Sequence, residues 1–207
     1  MSTLNGKVAF ITGGNKGIGY GIAQSLLAQG MKVAISSRNL ASAQAAAQSL
    51  GGDTLPLEVD VRVYAQVEAA QKAILEKWGQ LDVLVANAGI GHFAPIDQMQ
   101  VDDWDRVIAT NVNGVFYSIK ACAEALKASK GYIFTISSLA GTNFFAQGSA
   151  YNASKFAVTG MSQAAMLDLR PYEVKVTTIM PGSVTSYFNG HEPNENDAWK
   201  IQPEDLG

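Results

Sequence analysis

A chain of 207 residues with 47% hydrophobic and 16% charged side chains and 20 glycines has the makings of one α/β unit with a sizeable core, which excludes disordered, collagenous and coiled-coil chains. Fifteen Lys and Arg against 18 Asp and Glu leave −3, with the basic residues scattered, so nothing marks a nucleic-acid binder. Cys122 stands alone, His92 and His191 have no neighbouring metal ligands, no apolar run spans a bilayer, and Met1 to Gly6 carries no signal-peptide pattern, so a cytoplasmic, metal-free protein with no membrane partner is expected.

In chain order, Lys7 to Thr12 (KVAFIT) is a short β-branched apolar run, and Lys32 to Ser37, Thr54 to Val59, Leu81 to Ala86, Gly131 to Ser137 and Val174 to Met180 repeat it. These predict six buried strands. Between them, helical periodicity covers Gly17 to Gln29, Ala41 to Leu50, Tyr64 to Trp78, Asp102 to Lys127 and Tyr151 to Leu169, with Pro171 closing the last. Strict alternation of strand and helix predicts a doubly wound, mostly parallel, Rossmann-like sheet covered on both faces. Residues 1–185 are expected to form the nucleotide-binding and catalytic body. The remainder, 186–207, is rich in Asn, Glu, Asp and Pro with scattered aromatics and reads as a mobile loop of the same domain with little regular structure.

The first strand runs into Thr12-Gly13-Gly14-Asn15-Lys16-Gly17-Ile18-Gly19, and a helix begins at once. Glycines let backbone approach a pyrophosphate, and a helix N-terminus offers free N–H groups and partial positive charge. A tight turn without a ligand would use the same residues. At the end of the second strand, where a carboxylate commonly holds a ribose 2′-hydroxyl, stands Ser36-Ser37-Arg38. A guanidinium there, with Lys16 nearby in the chain's own turn, suits a 2′-phosphate and favours NADP(H) over NAD(H). Tyr151 and Lys155 share one helix face, so an ammonium can stabilise a phenolate; the strand-five end, Ser137-Ser138, puts hydroxyls where such sheets bind ligands, with Ser137 read as a turn former.

With these motifs in order, the chain resembles the short-chain dehydrogenases/reductases from Lys7 to about Ser186. The resemblance rests on Thr12-Gly13-x-x-x-Gly17-x-Gly19, Asp60-Val61, Asn87-Ala88-Gly89, Asn111, Ser138, Tyr151-x-x-x-Lys155 and Pro181-Gly182. It implies a catalytic tetrad of Asn111, Ser138, Tyr151 and Lys155: Tyr151 as acid in reduction and base in oxidation, Ser138 polarising the carbonyl, Lys155 binding the nicotinamide ribose and depressing the tyrosine pKa, and Asn111 holding a relay water. It further implies cofactor contacts from Gly13, Asn15, Lys16, Gly17, Ile18, Gly19, Arg38, Asp60, Val61, Asn87 and Gly89, then Pro181, Gly182, Val184 and Ser186 at the nicotinamide wall. Ser186 replaces the family's usual threonine. The family continues past this point with a helix and an edge strand, so a chain stopping at Gly207 is expected to be a truncated product.

The resemblance implies an NADPH-dependent ketone reductase, nearest to the 3-oxoacyl thioester reductases, acting on a small-molecule or acyl-thioester ketone. A catalytically silent NADP-binding sensor or assembly subunit is the alternative. Helices Val112 to Leu126 and Phe156 to Leu169 are apolar on more than one face, which predicts a homodimer or homotetramer. Substrate contacts are expected from His92, Phe93, Phe144, Phe145, Tyr187 and Phe188.

Overall fold

The computed structural model describes residues 4–207; Met1, Ser2 and Thr3, part of the segment read above for a signal peptide, lie outside it. Six strands form one sheet, β1 (Val8–Ile11), β2 (Lys32–Ser37), β3 (Thr54–Glu58), β4 (Val83–Ala86), β5 (Tyr132–Ile136) and β6 (Lys175–Ile179). Their order is β3-β2-β1-β4-β5-β6 and every pairing is parallel. The expected doubly wound sheet is present. Chain direction of travel across the sheet reverses between β1 and β4, so the connections leaving those two strands part company and open a crevice at their carboxyl ends.

Both faces of the sheet are covered because its strands are apolar on both. Val8 and Phe10 of β1 point into one core layer, with Val67 and Ile74 of α3 (Tyr64–Trp78) and Ile119 and Leu126 of α5 (Gly114–Ser129). Val158 and Leu169 of α6 (Ser149–Leu169) complete that layer. Ala9 and Ile11 point the other way, toward Ile22 and Ala23 of α1 (Gly17–Ala28) and Ala46 of α2 (Leu40–Leu50). This period of two, with both phases apolar, marks a strand buried on both sides. Lys7 and Asp82 pin the opposite edge: the Asp82 carboxylate accepts from Lys7 Nζ at 2.8 Å and from the Val8 N–H at 2.9 Å.

The structure corrects one helix. The continuous run expected over Asp102 to Lys127 is divided into α4 (Val101–Ile108), a π turn (Ala109–Asn113) and α5. The wide turn admits an extra residue and carries the Asn111 side chain out of the helical ladder. Asn readily trades helical bonds for side-chain ones, which is the local reason such a turn forms here.

Segment 186–207, read above as a loop with little regular structure, makes specific contacts. It contains three short 3₁₀ turns, Phe188–Gly190, Glu195–Asp197 and Pro203–Leu206, and a parallel bridge pairs Val184 with Ile201. Its end lies on α1, where a Cβ on Gly21 would stand 2.5 Å from the Pro203 carbonyl. Among the described residues no helix is long and apolar enough to cross a membrane.

Candidate active site

The glycine turn is built around Asn87. Its side-chain N–H groups donate to the carbonyls of Thr12 at 2.9 Å and Gly13 at 3.1 Å, while the Thr12 hydroxyl accepts from the N–H groups of Asn87 and Ala88. The β1 and β4 ends are thereby sewn together at the crevice floor. A Cβ on Gly19 would sit 2.6 Å from Asn87 Nδ2 and 2.7 Å from the Gly13 carbonyl oxygen, so only glycine fits. Gly13 and Gly17 take φ of +66° and +55°, the left-handed region that favours glycine. No side chain caps α1 at Lys16, which leaves its first N–H groups for an anion.

From this turn a cleft of about 870 Å³ runs across the carboxyl ends of the strands. It is lined by Gly13, Asn15, Lys16, Gly17 and Ile18, by Arg38, Asp60 and Val61 at one end, by Asn87 and Gly89 in the middle, and by Ser138, Tyr151, Lys155, Pro181, Gly182, Val184 and Ser186 at the other. Gly19 and Asn111 are buried behind it. The predicted residues thus come together, and the volume and glycine cradle fit an extended dinucleotide.

At the Arg38 end, Arg38 is exposed, and Ser37 joins it in the lining together with Asn39 and Ser42, which were unremarked in the sequence. Asn39 caps α2 by accepting from the Ser42 N–H at 2.9 Å. Asp60 is paired with Arg62, whose Nη2 lies 2.6 Å from its carboxylate; this guanidinium holds Asp60 below the usual carboxylate range, and the Arg38 charge pulls the same way.

At the other end, Tyr151 and Lys155 rise from the first turns of α6. Lys155 is 6% exposed, donates to the Ile136 carbonyl at 2.8 Å, and sits 5.5 Å from the centre of the Tyr151 ring. Burial pulls its ammonium down to about 8. Burial also raises the Tyr151 phenol above its ordinary value, with a hydrogen bond to the Ser138 hydroxyl offsetting part of the effect. In the protein by itself desolvation dominates the phenol, while the Lys155 ammonium is bonded to the Ile136 carbonyl. Ser138 caps the 3₁₀ turn Leu139–Gly141 through the Ala140 N–H at 3.1 Å while its hydroxyl faces Tyr151. Ser137 is structural, buried and bonded to the Lys155 carbonyl and the Thr159 hydroxyl.

Asn111, 1% exposed, uses its whole side chain on protein. Oδ1 accepts from the Ile90 N–H at 2.8 Å, and Nδ2 donates to the Ile90 carbonyl at 2.9 Å and to Ser154 Oγ at 3.0 Å. The amide therefore ties the loop after β4 to α6. Asn152, which the sequence reading passed over, clamps the Ser138 loop by donating to the carbonyls of Ala140 at 2.9 Å and Asn143 at 2.8 Å. Its only signal was adjacency to Tyr151.

Of the expected substrate contacts, Phe93 and Phe188 flank the Tyr151 ring at 5.5 and 5.4 Å, and Phe145 packs on Phe93 at 5.8 Å. Phe144 turns out to solvent, 87% exposed, and His92 is drawn to Asp103 at 3.2 Å. Tyr187 lies over Lys16, 5.6 Å from Nζ to ring centre. His191 and Lys200, a reading missed because their partner is six and three residues away in an irregular loop, also line the cleft; both contact the Asp197 carboxylate. The Lys200 ammonium, then His191, hold Asp197 well below the usual carboxylate range.

The family model described as short chain dehydrogenase matches residues 7–197. The chain belongs to this family. It is 37% identical over 187 residues to the trans-4-hydroxycyclohexanecarboxylate dehydrogenase of Sinomonas cyclohexanicum, covering 86% of this chain and 72% of the relative. Its fold superposes at a TM-score of 0.91 on the 3-ketoacyl-(acyl-carrier-protein) reductase of Brucella melitensis complexed with NADH, 29% identical over 98% of this chain and 88% of that one. The alcohol dehydrogenase of Thermococcus sibiricus complexed with 5-hydroxy-NADP gives 0.90 at 28% identity, covering 97% and 86%. This short-chain dehydrogenase is an oxidoreductase, and a nicotinamide dinucleotide is its cofactor.

Proposed function

We propose that this short-chain dehydrogenase reversibly reduces a ketone to a secondary alcohol, prefers NADP(H) to NAD(H), and accepts 3-oxoacyl thioesters among its substrates. The observation that carries the reading is the convergence of the Tyr151 phenol, the Ser138 hydroxyl and the buried Lys155 ammonium at one end of a cleft whose other end is the glycine turn. The nicotinamide, when bound, supplies the hydride to the carbonyl carbon. Tyr151 gives its phenolic proton to the carbonyl oxygen as that oxygen gains charge, and Ser138 donates to the same oxygen and fixes its position. Lys155 steadies the resulting phenolate, which recovers a proton from solvent. In the reverse direction the phenolate takes the alcohol's proton, so the raised phenol pKa makes oxidation the direction that gains most from alkaline pH.

The cofactor would lie with its pyrophosphate over Gly13 to Gly19, its adenine against Asp60 and Val61, Asn87 and Gly89 beneath its middle, and its nicotinamide against Pro181, Gly182, Val184 and Ser186. The NADP preference rests on Arg38 standing where a carboxylate would repel a 2′-phosphate, with Ser37 and Ser42 beside it. The relatives do not decide this: the Brucella reductase is complexed with NADH and the Thermococcus enzyme with an NADP derivative. Two subunits would pair through α5 and α6, which leave Phe116 and Phe156 nearly half exposed; sedimentation at micromolar concentration should give a dimer or tetramer.

The reading is tested by following NADPH absorbance with cyclic, linear and 3-oxoacyl thioester ketones. Consumption of NADPH with formation of the matching alcohol is expected. A folded protein that binds NADPH and reduces none of them would overturn it.

A further inference from the structure

Gly91 lies between the two rings that flank Tyr151. A Cβ there would stand 2.7 Å from Phe188 Cζ, closer than side chains tolerate, and a tight 3.1 Å from Phe93 Cζ, so the missing methyl is what lets both rings pack on the Tyr151 ring as they do. Phe188 is delivered from beyond β6 and Phe93 from the loop after β4, with Phe145 behind it from the loop after β5. Three loops distant in sequence thus contribute one aromatic wall. Several polar side chains near it are already committed: Asn152 to the Ala140 and Asn143 carbonyls, His92 to Asp103, His191 and Lys200 to Asp197. Asn189, next to Phe188, is exposed at the rim.

We infer that Gly91 and Phe188 form a specificity element that admits ketones with an apolar ring or chain next to the carbonyl and rejects polyhydroxylated ketones. This deepens the proposed function and rests on it. A carbonyl placed on Tyr151 and Ser138 puts its flanking carbons against phenyl faces, where an alicyclic, aryl or alkyl body gains contact and sheds water. A hydroxyl held against those phenyl faces gives up its water and gains no hydrogen-bond partner from them, a loss of about ten- to hundredfold in binding for each one. The carbonyl itself keeps its two partners in either case, so the discrimination falls on the body of the substrate and not on the reacting atoms.

The test compares cyclohexanone and acetophenone with dihydroxyacetone and fructose, each with NADPH, in the wild type, Phe188→Ala and Gly91→Ala. The wild type should prefer the apolar pair by at least about a hundredfold in kcat/KM. Phe188→Ala should cut that preference about tenfold, mainly through KM, while NADPH affinity stays within about twofold, and Phe188→Leu should restore most of it. Gly91→Ala, whose backbone is not left-handed, should act in the same direction by pushing the Phe188 ring aside. Equal use of the sugars by the wild type, or a preference indifferent to both substitutions, overturns the inference and leaves ketone reduction standing. Calorimetric binding of cyclohexanol to the NADP⁺-loaded protein without turnover of any ketone would sink the redox reading and uphold the apolar wall; neither binding nor turnover would sink both.

Discussion

The glycine-turn half of the cleft, proposed to hold the nucleotide, and the Tyr151 half, proposed to do the chemistry, are held by different kinds of contact. Around the glycine turn, the bonds run to backbone: Asn87 to two carbonyls, Thr12 to two N–H groups, with glycines packed so closely that a methyl has no room. Around Tyr151 the surfaces are side chains, with phenyl rings converging from three loops and an ammonium lodged beneath. The first half cannot change without disturbing the frame of the sheet. The second can exchange side chains while the frame stays, which suits a family whose members share a cofactor class and differ in what they oxidise or reduce.

The sharpest way to separate the halves is Tyr151→Phe. It removes one oxygen from the chemical half and should lower ketone reduction roughly 10³-fold, with NADPH affinity within about twofold by fluorescence titration. Activity within tenfold of wild type would remove the phenol from its role as acid.

Next in size is Lys155→Met. A lysine whose pKa falls to about 8 on folding carries a penalty that is fully present below pH 8 and fades as pH rises toward its unfolded value near 10.4. Denaturant melts should therefore show the wild type gaining about 3 kcal/mol relative to the variant between pH 7 and 10.5, the variant being the more stable at pH 7 and nearly inactive. A pH-independent difference would mean that the ammonium is well solvated.

Gly19→Ala tests the opposite claim about the nucleotide half. Forcing Asn87 or the Gly13 carbonyl aside should cost about 1–3 kcal/mol of stability together with cofactor affinity, whereas Phe188→Ala should leave both nearly untouched. If the two substitutions melt alike, the contrast between backbone-built and side-chain-built halves is lost.

The smallest effect expected is from Arg38→Asp, at the exposed rim. Reversing that charge should shift the ratio of kcat/KM for NADPH over NADH by about ten- to hundredfold, most strongly at low salt, with little change in melting temperature. An unchanged ratio would mean that Arg38 does not read the 2′-phosphate.

Local patterns carried much of this molecule. Alternation of short β-branched runs with helical periods located all six strands; the inner ones are largely buried on both faces, whereas the edge strands β3 and β6, expected to be buried, are only partly so. The glycine turn, Arg38 and the Tyr151–Lys155 spacing were visible because each lies within one turn or loop. The π turn within the long helix at Ala109–Asn113 was not: the Asn111 side chain bonds Ile90 and Ser154, 21 and 43 residues distant, and no short-range period records such partners. Phe144 and Phe145 look equivalent as letters, yet one faces solvent and the other packs on Phe93, since that choice depends on how a loop is clamped by Asn152.

The amino-acid order alone therefore determined the layered α/β architecture and the chemistry available to it, because periodicity and turn chemistry act over a few residues. Only tertiary structure decided the titration of Tyr151 and Lys155, the docking of residues 203–206 on α1, and the aromatic wall over Gly91. Desolvation and close packing depend on which distant surfaces meet, and those are settled only when the sheet has brought them together.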